Sequence, residues 1–369
     1  MFYVVAVAMP VLFVYVWQKR KSKLILFGGI IFLALMLSVR TGTGLDLENY
    51  RAIFIRYGSE LGILDDINIG GRLDFGYAVL NYIIARLGLS YHVLLFVIAA
   101  LNFYSLCRFT DHCEIKSKVF ALTIYFLIFD IYINSMQVLR QTLSISMYFL
   151  AAAAMKENKK IKTAALLLTG ISFHWGTIFS LPVFFIANKR FRVRSLILAS
   201  LLIPVLYYYA ILSPLPEVIG HLKYNIAYYV SLMRNERQSS MIMAFVYIVI
   251  AIVWILILDS VRESRREGII ALKRINLAGK STEIDFADMS AILFLISKAC
   301  LSSYYISILP RLQMYLFFFV PFSIAKVTGR LKGRTRVLIM MITISLFIIM
   351  FYMKLQASLK FFGNAAFVF

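Results

Sequence analysis

The chain has 369 residues, 61% of them hydrophobic, with a mean hydropathy of +0.82 and a formal net charge of +21. Its apolar residues lie in long uninterrupted runs, which excludes a soluble globular domain and, because the runs do not alternate, disfavours a transmembrane β-barrel. The positive charge falls in short clusters between those runs, so it points to the cytoplasmic ends of membrane helices and away from nucleic acid.

In chain order, residues 2–17 read as a first, retained span, and Leu24–Val39 as a second. Basic clusters at Lys19–Lys23, Arg108–Lys118, Lys156–Lys162, Lys189–Arg194, Arg262–Lys280 and Lys326–Arg336 hold 26 of the 39 Lys and Arg. Placing all six inside orients the chain. Residues 40–90 then lie outside as a charge-balanced loop of six acids and five arginines. Within it, 75–88 are apolar but too short to span, so an interfacial helix is expected. Spans follow at 91–107, 118–133 and 136–155. Segment 163–187 lies between two basic clusters and is too short for two full crossings. A re-entrant or broken hairpin with His174 near its tip is expected there. Spans at 195–212, 241–258, 289–306, 309–326 and 336–353 complete the pattern, with an outer loop at 213–240 and a basic cytoplasmic loop at 259–288. The outer loop contains an amphipathic stretch at 217–233 that suits a lid or an interfacial helix. The expected fold is an all-α polytopic membrane protein, with about 10 full transmembrane helices, a broken or re-entrant hairpin and interfacial helices. One integral-membrane domain over residues 1–369 is expected. Cys107, Cys113 and Cys300 offer neither a disulfide framework nor a zinc spacing and read as free thiols.

A charge at membrane depth costs energy to keep there, so each such residue is a candidate for function. In this topology Arg40 ends the second span on the outside, and Asp130 lies near the outer end of the fourth. Arg140 and Gln141 sit one turn inside the fifth. Arg311 starts the ninth, just after Pro310. With His174 these residues converge on an outward-facing cavity. A guanidinium matches phosphate as a planar fork and keeps its charge at any physiological pH. Several in a low-dielectric cavity would suit a diphosphate leaving group. The acids of the 40–90 loop are scattered and no His pair stands at i, i+4, so neither a metal site nor any other cofactor is expected.

The same side chains also suit plainer roles. Arg40 and Arg311 can snorkel to the interface, Asp130 can pair with Arg140, and His174 can be a satisfied core residue. Lys298, in the middle of the eighth span, suits phosphate binding or a bond to a neighbouring helix. Asp65 and Asp66 read as a solvated turn. Tyr207–Tyr209 and Tyr304–Tyr305 read as aromatic-belt residues or as a surface on which sugar rings stack.

Four motifs carry a family resemblance. Arg40-Thr-Gly-Thr-Gly44-Leu-Asp46-Leu-Glu-Asn-Tyr50 resembles the R-x3-G-x-D-x3-Y signature of EpsG-type proteins, a branch of the Wzy-like O-antigen and capsule polymerases. Asp74-Phe-Gly76-Tyr77 resembles their E-P-G-Y element, with Asp for Glu and Phe for Pro. Leu139-Arg140-Gln141-Thr-Leu-Ser144 is similar to I-R-Q-x-x-A, and Phe173-His174-Trp175 to the F-H element. The four occur in family order over roughly residues 35–185. Further on, Arg311 matches the pattern.

The resemblance implies a GT-C-like membrane glycosyltransferase. Its donor and acceptor would be oligosaccharides on undecaprenyl diphosphate, joined at the outer face of a bacterial inner membrane, with a chain-length regulator protein as a further partner. On that reading Arg140 and Arg311, with Arg40, would stabilise the departing diphosphate. His174 or Asp46 would serve as base, with Asp74 a third option. Tyr50, Tyr77 and Gln141 would hold sugar hydroxyls, and Asp74 and Lys298 would join the binding set. A single displacement at C1 would invert the anomeric configuration. A lipid-linked oligosaccharide flippase and an O-antigen ligase are the rival readings. A flippase would want a basic path through the whole bilayer and an inverted repeat, and the sequence displays neither.

Overall fold

The computed structural model describes residues 2–20, 22–38, 45–59, 74–112, 117–135, 138–212, 240–267, 281–303 and 309–362. Asp65, Asp66, Cys113, the 217–233 stretch and Tyr304–Tyr305 lie outside them. The described chain is almost wholly helical and forms two compact units, residues 1–178 with 331–369, and residues 179–330.

In the first unit the helices are α1 (Phe2–Arg20), α2 (Lys23–Ser38), α3 (Leu45–Ser59), α4 (Phe75–Arg86), α5 (Tyr91–Asp111), α6 (Lys118–Leu127), α7 (Phe129–Ser135), α8 (Leu139–Lys156) and α9 (Lys160–Phe173). A 3-10 turn at Trp175–Ser180 follows, and α16 (Gly333–Phe362) returns to pack on α6 and α7. α8 is the enclosed centre, packed between α5 and α9, with almost every residue from Gln141 to Ala154 buried. Its composition explains this. Thr142, Ser144, Ser146 and Ala151–Ala154 are small enough to admit neighbouring helices closely. Asn102 on α5 donates to the Ser146 hydroxyl at 3.3 Å and satisfies two buried polar groups at that seam.

The second unit holds α10 (Leu181–Ile186), β1 (Arg190–Arg192), α11 (Val193–Leu212), α12 (Met241–Glu267), β2 (Ser281–Glu283), α13 (Phe286–Ser303), α14 (Leu309–Phe317) and α15 (Val320–Arg330). α13 is its hub, touching α10, α11, α12, α14 and α15. β1 and β2 pair antiparallel, Arg190 opposite Glu283 and Arg192 opposite Ser281. This short ribbon departs from the all-helical expectation. Asn188, at φ 62, makes the left-handed turn that starts it.

Among the described residues, three helices are long and apolar enough to cross a membrane: Tyr91–Asp111, Met241–Ser260 and Gly333–Ala357. They coincide with the expected spans at 91–107, 241–258 and 336–353. Two expected spans are broken. Residues 118–133 split at Ile128, whose ψ of 99 leaves the helical region, and Asp130 sits in the first turn of the new helix, where the helix dipole favours an acid. Residues 309–326 split after Phe317. Pro321 lacks the N–H that would bond Phe317 and its ring crowds that carbonyl. α4, at 12 residues, is about 18 Å long and falls short of a span, as expected.

Each unit holds a cluster of paired charges. Lys326, 6% exposed, donates to Asp285 and, at 2.8 Å, to Asp288, which is fully buried and also accepts from Ser323 at 2.8 Å. Asp285 caps α13 as well, accepting the Asp288 backbone N–H at 3.0 Å. Removing the ammonium strips two carboxylates of a shared cation, so Lys326→Met is expected to destabilise the protein by about 3 kcal/mol. The check is thermal unfolding in detergent, where an unchanged midpoint would contradict it.

At one end of the first unit, Glu157 gathers Arg108, His112 Nε2 at 2.8 Å and Lys159 Nζ at 2.6 Å. The Lys159 hydrogen bond, with help from Arg108, holds the Glu157 carboxyl below its ordinary value of 4.5. A carboxyl with a lowered folded-state pKa stabilises fully above that ordinary value and loses the contribution as pH falls through the lowered one. The difference in unfolding midpoint between wild type and Glu157→Gln is therefore expected to be largest near neutrality and to shrink on acidification below pH 4.5. A difference constant from neutral to strongly acid pH would show that charge is not what Glu157 contributes.

Candidate functional site

Asp74 stands at the N-cap of α4, with extended backbone (φ −71, ψ 133) and its carbonyl accepting from Tyr77 and Ala78 N–H at 3.1 Å. An aspartate here ordinarily turns its side chain back onto the first-turn amides. This one makes no such bond. Its carboxylate, 11% exposed, reaches three groups on two other elements. Oδ2 lies 3.1 Å from His174 Nδ1 and 3.4 Å from Arg140 Nη1, and Oδ1 accepts the Trp175 backbone N–H at 3.2 Å. An ionised carboxylate only accepts, so Nδ1 carries the proton and Nε2 is left as the imidazole lone pair.

His174 is in reach because α9 stops there. Its backbone is extended (φ −162, ψ 114), between the end of α9 and the 3-10 turn. Two hydroxyls staple the break. Thr177 Oγ1 donates to the His174 carbonyl at 2.8 Å, and Ser144 Oγ donates to the Gly170 carbonyl at 2.8 Å while touching Thr177 Oγ1. Both residues are fully buried. Ser144 lies one turn along α8 from Arg140, so a single helix carries the guanidinium and anchors the histidine's backbone.

Two glycines permit the approach. A Cβ on Gly76 would stand 3.0 Å from the Ser172 carbonyl carbon and oxygen, and one on Gly170 would stand 3.3 Å from Met147 Cβ. Gly76 is what lets the start of α4 lie against the end of α9.

Arg140, 26% exposed, completes the group. Its Nε donates to the Tyr50 hydroxyl at 3.4 Å, and its guanidinium carbon lies 5.8 Å from the Tyr50 ring centroid. Tyr50 meets Tyr77 edge-on at 5.5 Å, and both belong to a core with Leu47, Phe54, Leu94, Leu139 and Leu143. The site thus rests on packed side chains from α3, α4, α5 and α8. Its charges are an anion shared by a cation and an imidazole. Such a set can take a proton and stabilise a departing negative group.

The EpsG family model matches residues 23–365, nearly the full length. The chain belongs to the EpsG family. EpsG proteins are related to the Wzy-like polysaccharide polymerases. No curated protein and no solved structure matches the chain.

Of the residues read from the sequence of this EpsG protein, the first unit brings Asp74, Arg140, His174 and Tyr50 together. Tyr77 lies fully buried beneath Tyr50, and Gln141 is buried on α8 beside Arg140. Asp46 falls in the first turn of α3 and Arg311 in that of α14, their side chains outside the described residues, as is Arg40 altogether. Lys298 belongs to the second unit, half-buried, with Nζ 5.5 Å from the Phe294 ring centroid. Asp130, expected beside Arg140, instead pairs with Lys354 at 3.3 Å, because α16 packs on α7 and brings the lysine to it. The sequence reading named neither the Ser144–Thr177 staple nor the Trp175 amide as part of the site. Small hydroxyl residues mid-helix were the available signal for the staple. Nothing in the sequence marks the amide.

Gly76→Ala is expected to force α4 off α9, part Asp74 from His174 and lower cell-surface polymer at least ten-fold at normal membrane abundance. Gly58→Ala on α3 is the control, because its Cβ would meet only Ala85 Cβ at 3.9 Å. Equal polymer from both variants would show that the close approach is not required.

Proposed function

We propose that this EpsG-family protein is a polysaccharide polymerase that moves a growing glycan from undecaprenyl diphosphate onto a lipid-linked repeat unit, at the outer face of a bacterial cytoplasmic membrane and within one integral-membrane domain. The observation that carries it is the shared carboxylate of Asp74, whose Oδ2 meets both His174 and Arg140. The acceptor hydroxyl gives its proton to His174 Nε2 as its oxygen bonds to the donor C1. The C1–O bond to the diphosphate breaks, and the electron pair leaves with undecaprenyl diphosphate. Asp74 holds the imidazole tautomer and stabilises the imidazolium that forms. Arg140 places its positive charge beside the charge growing on the leaving group. One displacement inverts the anomeric centre. The guanidinium supplies the electrostatic stabilisation that a divalent cation supplies elsewhere.

Among the base candidates, His174 is preferred over Asp46 because it alone has an orienting carboxylate on its far nitrogen. Asp74 is preferred as that orienter over a base of its own, since both its oxygens are already engaged.

The test uses purified protein in nanodiscs, lipid-linked repeat unit extracted from producing cells, and chelator. Laddered products are expected from wild type. Arg140→Ala is expected to lower the rate about 10²–10³-fold, and His174→Ala and Asp74→Asn about 10²–10⁴-fold, at unchanged abundance. Arg311→Ala is the companion variant for a second guanidinium. Wild-type ladders from both Arg140→Ala and Arg140→Lys would end the leaving-group argument. A single transfer onto a non-repeat acceptor would make the protein a ligase. Activity lost in chelator and restored by magnesium would replace the metal-independent reading.

A further inference from the structure

Two aromatic side chains flank the Asp74–His174 pair, each next in sequence to one member, and both face outward. Trp175 is 44% exposed and Phe75 58% exposed, although most other aromatic residues around the site are buried. Trp175 is also fixed to the pair. Its backbone N–H donates to Asp74 Oδ1 at 3.2 Å, and its indole meets the His174 imidazole at a centroid distance of 6.5 Å and an interplanar angle of 63°. It opens the 3-10 turn that Thr177 staples to the His174 carbonyl. The backbone that carries the indole is therefore tied to the carboxylate that orients the histidine.

We propose that Trp175, with Phe75 as its neighbour across Asp74, is a stacking platform for a pyranose ring of the acceptor glycan. The proposal rests on the polymerase reading above and adds to it the surface that presents the acceptor. A pyranose has one face of C–H groups and a rim of hydroxyls, which asks for a flat apolar surface next to polar groups. An indole with an imidazole one ring-width away is that combination. A sugar lying on Trp175 turns its rim toward His174, the group that needs a hydroxyl. The donor end belongs to Arg140, which meets the same carboxylate oxygen as His174. A tryptophan that only anchors the chain in lipid headgroups has no need of a ring contact with the site's imidazole, and that contact favours the platform.

The chain has three tryptophans, so Trp17→Phe with Trp254→Phe leaves Trp175 as the sole indole. This protein, in nanodiscs, is titrated with the repeat-unit oligosaccharide released by mild acid from the lipid-linked pool of producing cells. A saturable change in Trp175 emission is expected, with no quenching when the nanodisc carries brominated phosphatidylcholine. In the otherwise wild-type protein, Trp175→Ala is expected to weaken oligosaccharide binding by calorimetry about ten-fold, with Trp175→Phe close to wild type. Quenching by the brominated lipid with no response to sugar would make Trp175 a membrane anchor and overturn the platform. So would calorimetric binding unchanged in Trp175→Ala. If wild type neither binds the oligosaccharide nor polymerises the lipid-linked unit, the polymerase reading fails and the platform with it. If wild type does both and Trp175→Ala binds equally well, the platform alone fails.

Discussion

A carboxylate that is 11% exposed in the interior of a helical membrane protein is tolerable only if its charge is met on every side. Asp74 achieves this with a guanidinium, an imidazole and a backbone amide, drawn from α8 and from the break after α9. That requirement organises the first unit. Remove any partner and an uncompensated anion remains, so α4, α8 and the end of α9 are held in one arrangement by a shared electrostatic need. The function proposed for the site depends on the same fact. A histidine and an arginine sharing one carboxylate are the low-energy way to bury the acid, and on that proposal they are also the proton acceptor and the group that meets the diphosphate.

Local rules are broken where this happens. An N-cap aspartate leaves its own helix uncapped, a helix halts without proline at a histidine, and a glycine holds a place where any other residue would collide with Ser172. Each departure weakens an element taken alone, and each is offset by contacts to another element. Elsewhere the unit obeys ordinary rules: Ser117 caps α6 by accepting from Phe120 N–H, and the core beneath Tyr50 is aromatic and aliphatic. Concentration of the exceptions at one place is the pattern expected of a functional site.

The long apolar runs made the helices legible, because periodicity and length are properties of the sequence alone. The break at Pro321 was legible in principle from the missing N–H. The break at Ile128 was not, since a β-branched residue continues a helix as readily as it ends one. Arg140 and His174 stood out as charges or imidazoles at membrane depth, whereas Asp74 stood out only through its motif. It sits a hundred residues from His174, in a loop with five other acids, and the packing of α4 on α9 is what pairs the two. Lys326 shows the opposite failure. It reads as one member of a cytoplasmic basic cluster, yet it is buried between Asp285 and Asp288, because net charge along a segment says nothing about which member turns inward.

The rigidity of the arrangement also says where it can open. Arg140 and Ser144 share α8, the most enclosed helix of the first unit, and Ser144 with Thr177 holds the backbone on which His174 sits. Moving the histidine relative to the guanidinium would mean moving α8 within its packing, or breaking two buried hydroxyl bonds at once. Groups aimed in advance in this way lose little by reorganising when charge develops, which is the condition under which fixed dipoles and guanidinium groups lower a barrier most. A substrate must then come to the site. The aromatic surface of Phe75 and Trp175 is the part of its surroundings that is already exposed, while Tyr50, Tyr77 and Gln141 remain closed beneath. On the platform proposal, a sugar therefore meets an exposed ring before it meets those buried groups.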